Sequence, residues 1–222
     1  ELVRNVQKQA IIAKIQFELI VLDDCSKDQE IINDNNLIKE LDFCTLHKNE
    51  KNLGRTASRN YLASKASYNK LLFLDADVTF THRYAIKEAL DEMISGKYEM
   101  LGTTPVYKGE FDIRASIMFG LNKYVTWFLS KIEPFAIGGF TMVSRRIFNS
   151  LGGYDEKAKQ SEDWLLSKKI KPCKFKLIPE LITQDNRRFK RYGYFSMVKL
   201  LYNNWKNRNN TQYFYKDQGY WN

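Results

Sequence analysis

The sequence predicts an α/β domain with a largely parallel sheet, and three observations carry that expectation. Short apolar runs of strand length, FELIVL (17–22), FCTLH (43–47), LLFL (71–74) and EMLGTT (99–104), alternate with stretches of helical spacing. Two of these runs end in acids, Asp23-Asp24 and Asp75-Ala76-Asp77, and in such sheets ligands sit at the carboxyl ends of the strands. The chain, 222 residues with 44% hydrophobic residues, is long enough to bury a core as one domain.

The elements follow in order. Residues 1–13 read as the end of an amphipathic helix, and 17–22 as a buried strand. Ile31, Ile32, Leu37, Ile38 and Leu41 make 28–41 a helix interrupted by asparagines. After the strand at 43–47, the run 56–66 opens on Thr56 as an N-cap and continues in good helix formers. The strand LLFL precedes a helix over 83–95, then a strand over 99–104. An apolar and aromatic helix occupies 111–131; its Trp127 and Phe128 read as core residues. FAIGGFTMVS (135–144) reads as a strand broken by glycine, with short helices at 145–150 and 162–169 and a last strand at 174–179.

Composition narrows the function classes. Cys25, Cys44 and Cys173 show no CxxC spacing and leave an odd one over, which fits a reducing compartment and argues against a disulfide framework or a zinc site. His47 and His82 lack ligand spacing. No run approaches the 18 apolar residues of a membrane span. A net charge of +9 suits anionic partners.

Asp75 and Asp77 would point the same way if strand geometry held through them. Two like charges that close call for a cation or a proton. A divalent metal site, a hydrolase nucleophile with its acid partner, and a helix cap are the three readings. Asp23-Asp24 alone reads as a turn before a helix; two acidic strand ends together favour a site.

These segments resemble family 2 glycosyltransferases. FELIVLDDCSKD resembles their Asp-Asp-Gly-Ser-x-Asp segment, NLGRTASRN (52–60) their Asn-x-Gly-x-x-x-x-Arg-Asn segment, and LLFLDADV their Asp-x-Asp strand end. IGGFTMVSRRIFNSLGGYDE (137–156) is similar to the acceptor-side stretch ending in Gly-Gly-Phe/Tyr-Asp-Glu, and SEDWLLSKKI (161–170) to the Glu-Asp helix start. The five segments stand in the family's order over most of residues 17–191.

The resemblance implies a GT-A fold, a Rossmann-like mixed sheet flanked by helices, over 1–186, with a nucleotide-binding part to about 104, an acceptor part over 105–186, and a basic, aromatic segment 187–222. It implies an inverting transfer from a UDP- or GDP-linked sugar to a glycan or lipid-linked acceptor. Asp23, Asp24, Arg55, Arg59, Asn60 and Asp75 would bind the donor, with Asp24 at its base or ribose. Asp75 and Asp77 would hold Mg²⁺ or Mn²⁺ to neutralise the departing pyrophosphate. Asp163 would be the general base with Glu162 as the alternative, since adjacent helix residues diverge by about 100°. Gly138, Gly139, Arg187 and Arg188 would lie on the acceptor side; Gly138-Gly139 reads equally as a close backbone approach or a bulge.

Departures from the family pattern carry expectations too. Cys25 stands where the family has glycine, which asks for a turn without positive φ. QDNRRF (184–189) is closer to non-processive members than to polymer synthases. The family's first strand and its Pro-x-Tyr-Asn-Glu-like loop have no counterpart, so the chain reads as lacking one strand and a turn at its front, roughly 10–20 residues.

Two other classes compete. Asp75-Ala76-Asp77-Val78-Thr79 matches the Asp-x-Asp-x-Thr nucleophile motif of haloacid-dehalogenase-type phosphatases, although two strands and a second acidic pair precede it. From Arg187 to Lys216 there are eight Lys/Arg and no acid, interleaved with aromatics such as Phe189, Tyr192 and Tyr194. That pattern suits single-stranded nucleic acid or an anionic membrane; the resemblance disfavours nucleic acid and places the protein in the cytoplasm, peripherally on the inner membrane face. In GYFSMVKLLYNNW, Phe195, Val198, Leu201/Tyr202 and Trp205 share a helical face that would touch the bilayer or pack on the domain.

Overall fold

The computed structural model describes residues 1–217; residues 218–222 of the basic segment lie outside the described residues. Helix α1 (Leu2–Ala13) ends at Lys14, which takes the left-handed conformation at φ 53°. Strand β1 (Leu19–Asp23) then pairs in parallel with β2 (Cys44–Lys48), Asp23 lying opposite Lys48. Between them α2 (Gln29–Lys39) starts at Asp28, whose carboxylate accepts from the Glu30 N–H at 2.8 Å. Helix α3 (Arg55–Lys65) corrects the expected Thr56 cap: the N-cap is Gly54, at φ 83°, and Thr56 is buried inside the first turn. The glycine wins because Asp24 holds its N–H in a conformation that side chains disfavour.

The second sheet takes β3 (Lys70–Leu74) and a two-residue β4 (Thr79–Phe80) before α4 (Ala85–Ser95), then β5 (Met100–Tyr107) before α5 (Ile113–Ile132). It continues with β6 (Phe140–Ser144), α6 (Arg145–Ser150), α7 (Glu162–Ser167) and, after a 3₁₀ turn at Pro172–Lys174, β7 (Phe175–Gln184). The strand order is β3-β6-β5-β7-β4. Only β5–β7 is parallel; β3–β6, β5–β6 and β4–β7 are antiparallel, so the sheet is mixed rather than largely parallel. The reversal comes at the glycine pair. Ala136 lies against Gly102 of β5, Gly139 turns at φ 102°, and only Phe140–Ser144 of the expected 135–144 strand joins the sheet.

Among the described residues no ladder joins β1–β2 to the five-stranded sheet. The two units are tied at one end by Glu18, just before β1, whose carboxylate accepts from the N–H groups of Ser67 and Tyr68, just before β3. Adjacent residues of β5 and β6 divide the core by strand alternation. Leu101 and Met142 join Val6, Ile86 and Met93 on the face covered by α1 and α4, while Met100 and Val143 join Phe148, Tyr154 and Leu166 on the other.

The chain closes with α8 (Arg187–Tyr192), α9 (Tyr194–Lys206) and α10 (Thr211–Phe214). Trp205 stacks on Trp164 of α7 with centroids 6.0 Å apart, and Phe214 is fully buried beside it. Of the face expected on α9 only Trp205 thus packs on its own domain, while Phe195, Val198, Leu201 and Tyr202 are exposed.

Candidate active site

The carboxyl end of β1 is built from its own acids. Asp23, buried at the end of the strand, accepts from Ser26 N at 2.7 Å and Asn35 Nδ2 at 3.0 Å and faces Lys48, which shapes the β1–α2 turn. Asp24 turns to the β2–α3 loop, taking the N–H groups of Leu53 and Gly54 and the Asn49 amide at 2.8–2.9 Å. Burial raises the Asp24 carboxyl, but the Leu53, Asn49 and Gly54 bonds outweigh it and hold the group below the usual carboxylate range. Between these acids and α2, Cys25 adopts φ 67°, contrary to the expected turn without positive φ. The thiol donates to the Glu50 carbonyl at 3.3 Å, a contact that helps fix this unfavourable backbone.

The second acidic end meets a buried cation. Asp75 leaves β3 with its N–H on the Gly139 carbonyl, and the chain turns at Ala76-Asp77, so strand alternation does not orient the two carboxylates. Arg59, on α3, reaches across: its Nη2 lies 2.5 Å from Asp75, and its Nη1 lies 3.0 Å from Asp163 and 3.2 Å from Glu162. Arg55, one turn earlier, pairs with Glu162 at 3.0 Å. Burial lowers the Arg59 basicity, but Asp163, Tyr154, Asp75 and Glu162 raise it further, so the guanidinium stays charged. Burial first, then the Asp163 charge, pushes the Glu162 carboxyl up, against Arg55 and Arg59. Glu162 and Asp163, expected to diverge, both meet the fork of one guanidinium.

Asp163 is oriented from several directions. Besides Arg59, it accepts from the Tyr154 hydroxyl at 3.0 Å and the Thr141 hydroxyl at 3.3 Å. Tyr154 and Thr141 are absent from the residues singled out in sequence; Tyr154 had a signal in its Gly-Gly-Tyr-Asp-Glu setting, whereas Thr141 is one of many strand threonines. Asn60 faces the same loop rather than the cleft, donating to the Tyr154 carbonyl and accepting from its N–H at 2.9 Å. A Cβ at Gly153 would meet the Asn60 amide at 2.7 Å, so that loop needs glycine there.

Asp75, Asp77, Glu162 and Asp163 line one cleft of about 500 Å³ with Arg55, Gly138, Arg187 and Arg188. A Cβ at Gly138 would stand 3.0 Å from Asp163 Oδ2 and 3.9 Å from Asp75 Oδ2, so the missing side chain leaves the cleft wall beside both carboxylates uncovered, although Asp163 itself is nearly buried. Gly139 serves the backbone instead, as its Cβ would strike Ile182 at 3.0 Å. Asp77 is exposed and paired with Arg187 at 2.9 Å. The far wall, from Met118 and Phe119 on α5 to Phe189, Met197 and Leu200, is apolar.

The model of glycosyl transferase family 2 matches residues 1–152, which include both acidic strand ends and the glycine pair. The chain belongs to that family. No curated protein matches it. Among solved structures, the mannosyltransferase PcManGT from Pyrobaculum calidifontis, in complex with GDP-Man and Mn²⁺, superposes with a TM-score of 0.62 at 16% identity, covering 90% of this chain and 61% of that one. S. aureus TarS 1–349 in complex with UDP-GlcNAc gives a TM-score of 0.56 at 17% identity, covering 82% of this chain and 55% of that one. Another S. aureus TarS structure gives 0.54 at 15%, with 85% and 35% covered. The chain thus spans less than two thirds of these structures, and it shares their GT-A fold. Family membership also sets aside the haloacid-dehalogenase reading of Asp75 and Asp77.

The family 2 setting frames the cation question. Mg²⁺ and Mn²⁺ prefer oxygen donors and commonly take one or two carboxylates, with phosphate and water completing the shell. Asp75 and Asp77 supply such donors with side chains 28% and 55% exposed to the cleft. Among the described residues no group of three His, Cys, Asp or Glu could hold a metal unaided. The pair fits a cation that brings phosphate oxygens with it.

Proposed function

We propose that this family 2 protein transfers a sugar from a UDP- or GDP-linked donor to an acceptor hydroxyl on a glycan or lipid-linked molecule, with inversion at the sugar carbon. One observation carries the reading: buried Arg59 ties Asp75 to Asp163 and Glu162 on the wall of a single cleft. Donor-side and acceptor-side carboxylates are thereby held in one rigid unit, as a single displacement between two bound substrates requires.

The roles divide by environment. Asp24 and the loop it organises through Leu53 and Gly54 would form the nucleoside end of the site. Asp75 and Asp77 would hold Mn²⁺ or Mg²⁺, which supplies charge neutralisation for the leaving diphosphate. Arg187, now on Asp77, would be freed by that exchange to approach a phosphate. Asp163 would accept the acceptor's proton through Oδ2, the oxygen that faces Gly138, while Arg59, Thr141 and Tyr154 fix its direction. Glu162, saturated by Arg55 and Arg59, would position Arg59 rather than move a proton.

Calorimetric titration of UDP and GDP with and without Mn²⁺ tests the donor half. Metal-dependent binding of one nucleotide supports the reading; binding of neither, in a folded protein, overturns it.

A further inference from the structure

Helix α5 is inverted with respect to an ordinary surface helix. The face packed on the sheet is Ala115, Phe119, Thr126 and Ser130, mostly small or polar, whereas Ile113, Ile117, Leu121, Val125, Phe128 and Ile132 form a stripe along the opposite side, each at least half exposed. This corrects the expectation that Trp127 and Phe128 are core: they are 50% and 62% exposed. Twenty residues make a rod about 30 Å long, so its stripe is a continuous apolar patch of the kind that marks an interaction surface.

We propose that this face of α5 docks the protein on an anionic lipid bilayer, lying in the interface rather than crossing it. Crossing is excluded for α5, since one side is committed to the sheet and no helix among the described residues is long and apolar enough to span a membrane. Charge selects the occupant. From Ile113 to Ile132 the helix carries Arg114, Lys123 and Lys131 and no acid; Lys123 is paired with Glu180 of β7 at 2.7 Å, so the charge on this face comes from Arg114 and Lys131. A two-fold contact with a second copy sets the same patch against itself, cation against cation, whereas an anionic bilayer offers hydrocarbon to the stripe and negative headgroups to its flanks. The aromatic arrangement agrees: Lys131 lies over the Trp127 ring at 5.1 Å, an amphipathic pair suited to headgroup depth.

The surface extends past α5. Phe119, on its inner side, contacts Phe189 of α8 at 5.7 Å, and Tyr194 at the start of α9 donates to Asp112, the α5 N-cap, at 2.6 Å. From Arg187 to Lys216 this neighbouring segment likewise has no acid. Because Met118 and Phe119 also line the cleft, docking through α5 brings the cleft to the membrane surface. The docking proposal rests on the helix face and not on the transferase reading.

Flotation with vesicles tests it, comparing phosphatidylcholine alone with phosphatidylcholine containing phosphatidylglycerol. The protein is expected to float with the anionic vesicles and to be released by raised salt. The double variant Leu121→Glu/Phe128→Glu, at positions 55% and 62% exposed, is expected to keep its melting temperature and lose at least about tenfold in partitioning, given the apolar burial removed. Equal flotation of the variant, or no flotation of the parent protein, overturns the proposal. A lipid-free dimer that the double variant splits in light scattering also overturns it, by assigning the face to a second copy.

Discussion

Removing the Arg59 guanidinium should expose how the site is held together. Its side chain is 9% exposed and those of Glu162 and Asp163 are 3% and 6%, so Arg59→Met leaves two acids in a dry setting without their shared cation. Taking one partner from a buried ion pair costs about 3–5 kcal/mol, mostly from the charge left behind. For a chain of this size each kcal/mol moves the melting temperature by about 2–4 °C, which gives a loss of roughly 6–20 °C. Arg55→Met is the control. Its side chain is 35% exposed and water replaces it more readily, so about 1 kcal/mol or less is expected. The pH dependence has a definite sign. Glu162 has its carboxyl raised by burial and by Asp163, and loss of Arg59 raises it further. Stability from its protonated form is present below the ordinary glutamate value and is lost as pH rises through the folded one. The gap between parent and Arg59→Met should therefore widen from pH 5 to pH 8 in calorimetric melts. A variant that melts within about 2 °C of the parent, with a pH-independent gap, would refute the buried hub.

Three further outcomes follow from other contacts. Asp77→Asn should abolish Mn²⁺-dependent binding of nucleoside diphosphate in calorimetry while leaving the melt unchanged, whereas Arg187→Ala, which releases Asp77 from its 2.9 Å pair, should tighten Mn²⁺ binding a few-fold; unchanged affinity in both removes the metal assignment. Gly138→Ala sets a Cβ 3.0 Å from Asp163 Oδ2 in an otherwise tolerant position and should lower kcat well before it lowers the melting temperature; full turnover would show that the oxygen does not face the acceptor. Asp23, Asp24 and Glu18 have carboxyls held low by hydrogen bonds that outweigh burial, so their contribution is present above the ordinary values of 3.8–4.5 and is lost as pH falls through the folded ones; acid melts should steepen below about pH 4, less so in Asp24→Asn.

The strand ends were legible because a short apolar run that stops on acids has few other interpretations, and the order of five motifs confined them to one fold. The direction of β6 was not legible. A helix between two strands suggests a crossover, and nothing in the letters says that Gly139 turns the chain back. Nor does a sequence display the role of Arg59, since its partners Glu162 and Asp163 lie 103 and 104 residues away. The face of α5 was misread for a physical reason: apolar residues at helical spacing signal a buried stripe only when the other side is polar. Here small residues, Ala115 and Ser130, let the helix approach the sheet and leave the large ones outside.

Nucleoside diphosphate release from UDP- and GDP-sugars with Mn²⁺, measured for the parent protein and for Asp163→Asn alongside calorimetric donor binding, tests the central claim most directly. The account predicts that one donor is consumed, that Asp163→Asn binds it with unchanged affinity, and that release slows by about two orders of magnitude or more, the usual share of a general base, while Glu162→Gln loses less. Parent-like release by Asp163→Asn, or failure of every nucleotide sugar to bind, would contradict it.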